Sequence, residues 1–203
     1  KHIPFNIHYI PNYAEIPTKI PLKNDDNISV VFARRLVEYR GTRLFADAAV
    51  NILMKYPDIS VTIAGTGSDE EYMRSKLAGF KQVKFTSYSA ENSVKFHSVY
   101  NIAVVPTVMH EGTSLSLLEA MSAGCAVIAT NIGGMSNIII DGFNGLMINP
   151  LRDELEYALE RLITSCELRH KLSVNAHMTV REGFSFAKWA EKWLNVIDKI
   201  KRQ

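Results

Sequence analysis

Cysteine is scarce in this sequence: Cys125 and Cys166 are the two among 203 residues, and no C-x-x-C pair exists. Their scarcity excludes a disulfide scaffold and a cysteine-rich zinc site, and the apolar or helical surroundings of both lead us to expect buried free thiols in a reducing compartment. Charge of one sign is lacking too, since 23 Lys plus Arg face 21 Asp plus Glu for a formal net charge of +2. A protein that holds nucleic acid by bulk charge shows a basic stripe, so no nucleic-acid partner is expected and any basic residue that matters must act locally. No apolar run approaches the ~18 residues needed to cross a bilayer. Pro4 and Pro11 break up the N-terminal stretch where a signal peptide needs a continuous apolar core, so a cytoplasmic location is expected. There is no D-x-D to hold a divalent metal against a diphosphate and no paired histidine spacing, so no metal is expected. Internal repeats and low-complexity tracts are likewise missing. The chain has no initiating methionine, from which a fragment of a longer protein is expected.

What is present is an average globular composition, 47% hydrophobic and 22% charged, in a length that suits one domain of roughly 150 residues or slightly more. The first 24 residues carry Pro4, Pro11, Pro17 and Pro21 without helical or alternating period, and read as an extended linker. From Ile28 short apolar runs alternate with amphipathic stretches. Ile28–Ala33, Ile59–Ala64, Val83–Thr86, Ile102–Val105, Ala126–Thr130 and Leu146–Ile148 are strand-like. Arg43–Tyr56, Asp69–Phe80, Ala90–Val99 and Ser114–Ala123 return apolar residues every three or four positions, as helices do. Short β–α alternation with strands apolar on both faces predicts an α/β fold: a Rossmann-like parallel sheet of about six strands with helices on both faces.

Beyond Gly145 the pattern is helical, over Glu154–Thr164, Cys166–Val180 and a last segment from Ser185. In that segment Phe186, Trp189, Trp193, Ile197 and Ile200 form an apolar stripe, with Lys188, Lys192, Lys199 and Lys201 on the other face. The stripe has three possible homes: its own domain, a partner domain, or an anionic membrane surface.

Ligands of open parallel sheets bind beyond the carboxyl ends of the strands, so the loops there hold the candidate chemistry. After the first strand, Arg34, Arg35 and Arg40 bring guanidinium forks that match phosphate oxygens, although exposed arginines on a solvated loop are equally common. After the second, Gly65-Thr66-Gly67 permits close backbone approach to a ligand, but Glu70 stands where a dinucleotide fingerprint needs a third glycine. After the fourth comes His110-Glu111-Gly112-Thr113-Ser114-Leu115, opening a helix that ends at Gly124. Thr113 or Ser114 suits its N-cap, and Leu115, Leu118 and Met121 form the face expected to be buried. Gly112 leaves the backbone uncovered where the helix's first N–H groups point outward, a ready anion site that a diphosphate would fit. A carboxylate facing a phosphate would repel it, so Glu111 and Glu119 are better matched to ribose or sugar hydroxyls; alternatively Glu111 serves the helix dipole and Glu119 is merely solvated. Gly133-Gly134 after the fifth strand can aim N–H groups into the same cleft or form an ordinary turn. Asp141–Gly145 reads as structural, Cys125 as core, and Asp25-Asp26 as part of the linker.

Taken together, Glu111-Gly112 with Glu119 in an E-x7-E spacing, the run Glu119–Thr130, Gly133-Gly134, Asp141–Leu146, Arg35-Leu36-Val37 with Arg40-Gly41, and Ile10-Pro11-Asn12 resemble family 4 (group 1) retaining glycosyltransferases. The resemblance spans nearly the whole chain. It implies the C-terminal, donor-binding domain of a two-domain GT-B enzyme: residues 1–24 as interdomain linker, 25–184 as nucleotide-sugar domain, and 185–203 as a helix packing toward a missing N-terminal acceptor domain. Arg35 and Arg40 would act on the donor diphosphate and Glu111 on the donor sugar. Gly112, Thr113, Ser114 and Leu115 would face phosphates or sugar and Glu119 the ribose, with Gly65, Tyr88, Ser89 and His110 completing the donor site. The implied reaction is metal- and cofactor-independent transfer, with retention, from a nucleoside diphosphate sugar to a glycan or lipid-linked glycan acceptor in polysaccharide or glycoconjugate synthesis, with peripheral membrane contact possible. Three departures from the common pattern bear on sugar and nucleotide preference: Arg34 where glycine is usual, a loop longer by about one residue at Met109-His110, and Asn137 in place of a glutamate. A sugar-nucleotide epimerase of the same fold and a non-catalytic nucleotide-binding module of a glycan assembly complex are the competing readings.

Overall fold

The computed structural model describes residues 7–201. His2 and Pro4 of the expected linker lie outside the described residues. Six strands, β1 (Ser29–Ala33), β2 (Ser60–Ala64), β3 (Val83–Thr86), β4 (Ile102–Val105), β5 (Ala126–Thr130) and β6 (Leu146–Ile148), form one sheet in the order β3-β2-β1-β4-β5-β6. Every pairing is parallel. The helices between and after them are α1 (Thr42–Lys55), α2 (Glu70–Leu77), α3 (Ser93–His97), α4 (Leu115–Ser122), α5 (Arg152–Thr164), α6 (Cys166–Gly183) and α7 (Phe186–Lys201).

Strand geometry explains why the inner strands are mainly apolar, while the edge strand β3 carries the exposed Lys84. Successive side chains point to opposite faces, and both faces are covered: Val30, Phe32, Ile102, Val104, Ala126 and Ile128 pack under α1 and α5, while Val31, Ala33, Ala103, Val105, Val127 and Ala129 pack under α4 and α6. The chain winds outward from β1 to β3, then returns to β4 and winds the other way. The loops after β1 and β4 therefore diverge, and the crevice between them is the topological switch point of the sheet.

The structure departs from expectation at four places outside the crevice. The linker reading covers only part of residues 1–24, because Ala14 onward is fastened to the domain. The Ala14 N–H donates to Phe184 O at 3.0 Å, Ser122 Oγ donates to Glu15 O, and Asn101 Nδ2 donates to Asn24 O at 3.0 Å. Asp25 likewise pairs with Arg169 at 2.7 Å rather than standing solvated, and Arg169 holds its carboxyl below the usual range. The second thiol, Cys166, is exposed at the start of α6, whereas Cys125 is buried. The expected helix Ala90–Val99 is a 3-10 turn, Ala90–Asn92, followed by the single-turn α3. Finally, α7 buries none of its residues. Tyr13 packs against Phe186 and Trp189 with ring centroids 5.2 Å apart in each pair, while Trp193, Leu194, Ile197 and Ile200 stay exposed. No helix among the described residues is long and apolar enough to cross a membrane.

Candidate functional site

The loop after β1 is sewn to the loop after β2 before any ligand is considered. Arg34 N donates to Ala64 O at 2.9 Å, Leu36 N to Thr66 O at 2.8 Å, and Asp69 N to Leu36 O at 2.9 Å. Gly65 (φ +141°) and Gly67 (φ +158°) are needed here because a Cβ would lie 2.1 Å from Arg34 O and 2.2 Å from Leu36 O. The close approach expected of Gly65 is thus to the protein's own backbone and not to a ligand.

The loop after β4 is buttressed in the same way. Gly134 N donates to Glu111 O at 2.9 Å, and a Cβ on Gly133 or Gly134 would lie 2.2 Å from Glu111 O or 2.5 Å from Gly112 O. These two glycines back the loop from behind, and the Gly134 N–H is spent on it. Gly112 itself has no atom within 4 Å of its ideal Cβ position, so its backbone is open. Ser114 caps α4 by accepting from Leu117 N at 3.4 Å. The N–H groups of Leu115 and Ser116 have no intrahelical acceptor and remain for a ligand. Leu115 is half exposed and lines the crevice, with Leu117, Leu118 and Met121 forming the buried face instead. As the first residue of α4 its side chain slants back past the helix start, where no layer covers it.

Where the two loops meet stands an ion cluster. Glu111 Oε2 accepts from Arg34 Nη2 at 2.8 Å, from Arg40 Nη1, and from Thr107 Oγ1 at 3.4 Å. Arg34 Nη1 donates to Thr107 Oγ1 at 2.8 Å. The side chains of Arg34, Glu111 and Arg40 are 5%, 8% and 20% exposed. Burial, reinforced by Arg40, pushes the Arg34 guanidinium down to about 10 against the opposing pull of Glu111, so it remains charged at neutral pH. Its Nε is buried without a partner among the described residues. Arg35 is exposed, and its guanidinium lies 5.7 Å from the Tyr39 ring centroid, with Arg40 5.2 Å from the same ring.

A cavity of about 550 Å³ brings together Arg34, Arg35, Arg40, Tyr88, Glu111, Glu119 and the Gly112–Ser116 backbone. A second, of about 390 Å³, is lined by Tyr13, Ser93, Glu91, Val94 and Trp189. Asn12, Leu115 and Glu119 line both, so the two are neighbouring halves of one crevice. Burial raises the Glu119 carboxyl above its ordinary range, with the Ser93 hydroxyl opposing. Burial and the nearby Glu119 charge push the Tyr88 phenol up to about 12; it stays neutral, donates to Ala33 O at 3.4 Å, and stacks on Phe96 with centroids 4.4 Å apart. Three expected residues fall outside these walls: Gly65 lines neither cavity, Ser89 accepts from Asn92 Nδ2, and His110 stacks on Tyr39.

Sequence reasoning did not assign Asn12 or Ser116 to the site. Asn12 donates to Thr113 O at 3.0 Å, and the Ile10-Pro11-Asn12 motif was its available signal. Arg34 stands among the expected phosphate-matching guanidiniums, but nothing in the sequence signals its pairing with Glu111. Among the described residues no cluster of three or more His, Cys, Asp or Glu could hold a metal ion.

With this geometry in hand, comparison with known proteins is informative. The model of the family "Glycosyl transferases group 1" matches residues 14–178. An uncharacterized glycosyltransferase of Methanocaldococcus jannaschii is 27% identical over 85% of this chain and 45% of its own length. The crystal structure of the C-terminal domain of a glycosyl transferase group 1 family protein from Francisella tularensis is similar with a TM-score of 0.70 and 30% identity, covering 78% of this chain and 87% of that one. The Anabaena protein HepE, solved in complex with UDP-glucose, has the same fold with a TM-score of 0.77 at 18% identity, over 86% of this chain and 49% of its own. The chain spans about half the length of the curated relatives it matches.

Proposed function

This chain belongs to the group 1 glycosyl transferases, and from that membership we propose that it is the donor-binding half of a two-domain retaining glycosyltransferase that takes a nucleoside diphosphate sugar. The observation that carries the reading is the single crevice joining Arg35, Arg40 and the α4 N-terminus to Glu111 and Glu119. Guanidinium forks and unpaired helix N–H groups suit a diphosphate. Both carboxylates line the same cavity, and of the two Glu119 alone also lines the neighbouring one. Glu119, at the junction with the second cavity, is the acceptor for ribose hydroxyls, and Glu111 for those of the transferred sugar.

In the transition state a sugar ring gains positive character as the diphosphate leaves with negative charge. Preoriented donors aimed at the departing charge stabilise that state more than the ground state. Arg35, Arg40 and the α4 N-terminus fill this role, and the reading gives no part to a metal. The acceptor, a glycan or lipid-linked glycan, would be held by an N-terminal domain, with the exposed stripe of α7 packing toward it.

The test is thermal unfolding of this chain in EDTA with UDP, GDP, ADP and their sugar conjugates, comparing wild type with Glu119→Ala, since a ligand that binds only the folded state raises its melting temperature. A rise for one base, reduced in the variant, supports the reading. The absence of any rise, both here and in the two-domain protein, overturns it.

A further inference from the structure

The two guanidiniums on Glu111 are not equivalent. Arg34 is fixed: its side chain is 5% exposed, its second nitrogen is held by Thr107, and its backbone N–H is tied to Ala64. Thr107 is in turn held by Thr130, whose hydroxyl donates to its carbonyl at 2.6 Å. Arg40 is 20% exposed, rises from a three-residue 3-10 turn, and its guanidinium has no carboxylate but Glu111 among the described residues. Both bind the same oxygen, Oε2, while Oε1 has no partner among the described residues.

Resting on the donor-site reading above, we propose that Arg34 is a positioning residue that keeps Glu111 in place while Arg40 moves from Glu111 Oε2 to the donor's diphosphate. Glu111 Oε1 is then presented to a hydroxyl of the transferred sugar. The exchange swaps one charge-assisted hydrogen bond for another. Without Arg34 the same move would strip a buried carboxylate of its remaining cation, which is strongly unfavourable. Glu111 would then follow Arg40 and leave its position under the sugar.

Calorimetric titration of this chain tests the exchange, using the sugar conjugate that stabilises it most in the thermal screen together with the parent nucleoside diphosphate. Arg34→Gly is expected to raise the ratio of the conjugate's Kd to the diphosphate's Kd about tenfold, the worth of one charge-assisted hydrogen bond, and to leave the diphosphate's own Kd nearly unchanged. Arg34→Lys, which restores a cation to Glu111, should recover most of the ratio. Arg40→Gln should weaken both ligands alike. In a Glu111→Gln background Arg34→Gly should leave the ratio unaltered. If Arg34→Gly lowers both affinities equally, Arg34 is itself a phosphate contact and the exchange is overturned; an unchanged ratio overturns it too. Should the glycine variant fail to fold, Arg34→Gln against Arg34→Lys carries the same comparison. Failure of wild type to bind any conjugate, both as this chain and in the two-domain protein, rejects the donor site and the exchange with it, whereas wild-type binding with a flat ratio rejects the exchange alone.

Discussion

Lys23 donates its amine to the carbonyl of Ala123, 3.0 Å away, from a segment whose prolines mark it as an extended connector. The same amine reaches the carbonyls of His97 and Ser98. One cation therefore closes the C-terminal ends of both α3 and α4, where unpaired carbonyls and the negative end of the helix dipole favour it. The opposite end of α4 is where the donor diphosphate is proposed to bind.

Lys23→Met should therefore destabilise the domain by about 2 kcal/mol, the worth of a charged group's hydrogen bonds, with little effect on the affinity for donor. Urea unfolding would show a lower midpoint with unchanged slope. Equal midpoints for the two proteins would mean that the linker contact contributes nothing.

Glycines on the two sides of the Glu111 loop should separate fold from function. Gly112 has open space at its Cβ position, so Gly112→Ala is expected to melt near wild type yet lose the donor-induced rise in melting temperature. Gly133, at φ +56° with Glu111 O 2.2 Å from its Cβ position, should cost roughly 1–3 kcal/mol as alanine through backbone strain, and displace Glu111 as well. Similar melting temperatures for the two variants would refute this division.

The proposed donor role of Glu119 would set its contribution to binding against its contribution to stability. Its folded pKa is raised by burial, so it favours the fold below the ordinary carboxylate pKa of about 4.3 and loses that contribution as pH rises through the folded value. Glu119→Gln should thus be more stable than wild type at pH 7 without ligand. If ionised Glu119 accepts ribose hydroxyls, binding of a nucleotide sugar should weaken as pH falls through that folded value and should release protons there. Titration in buffers of different ionisation enthalpy would detect the release, and a wild-type profile as flat as that of the glutamine variant would count against the role.

His97 is buried with Nδ1 2.8 Å from Ser93 O, and burial pushes its pKa down to about 4, with Lys23 adding to the effect. The neutral ring is the folded form. Its stabilisation is complete above the unfolded pKa of about 6.5 and is lost as pH falls from there toward the folded value, on the order of 3 kcal/mol in all. Urea unfolding at pH 7, 6, 5 and 4.5 should show that slope, and His97→Gln should remove it.

The strands were the most legible part of the fold. Four of the six, β3 to β6, occupy their expected residues, and β1 and β2 each begin one residue later, because two-sided burial leaves an uninterrupted apolar run. The Glu111–Gly124 segment was legible for a similar local reason: an N-cap, a helical period and a terminal glycine are all written in adjacent residues. The pairing of Arg34 with Glu111 was not, since those residues are far apart in sequence and meet only because β1 and β4 are neighbours at the switch point. The partners of Gly65, Gly133 and Gly134 were not legible for a related reason. A sequence shows that glycine permits close approach, but the partner approached, here other loops of the protein, is a matter of packing.

Local chemistry written in the chain thus determined the sheet, most of its helices, the capped start of α4 and the placing of Glu111 and Glu119 at the loop and helix after β4. Tertiary structure alone decided which of three neighbouring arginines is buried on Glu111, which remains open to a ligand, and that residues 14–25 belong to the domain. Those outcomes depend on burial and on contacts between distant segments, where desolvation makes a charge seek its nearest counter-ion whatever its position in the sequence.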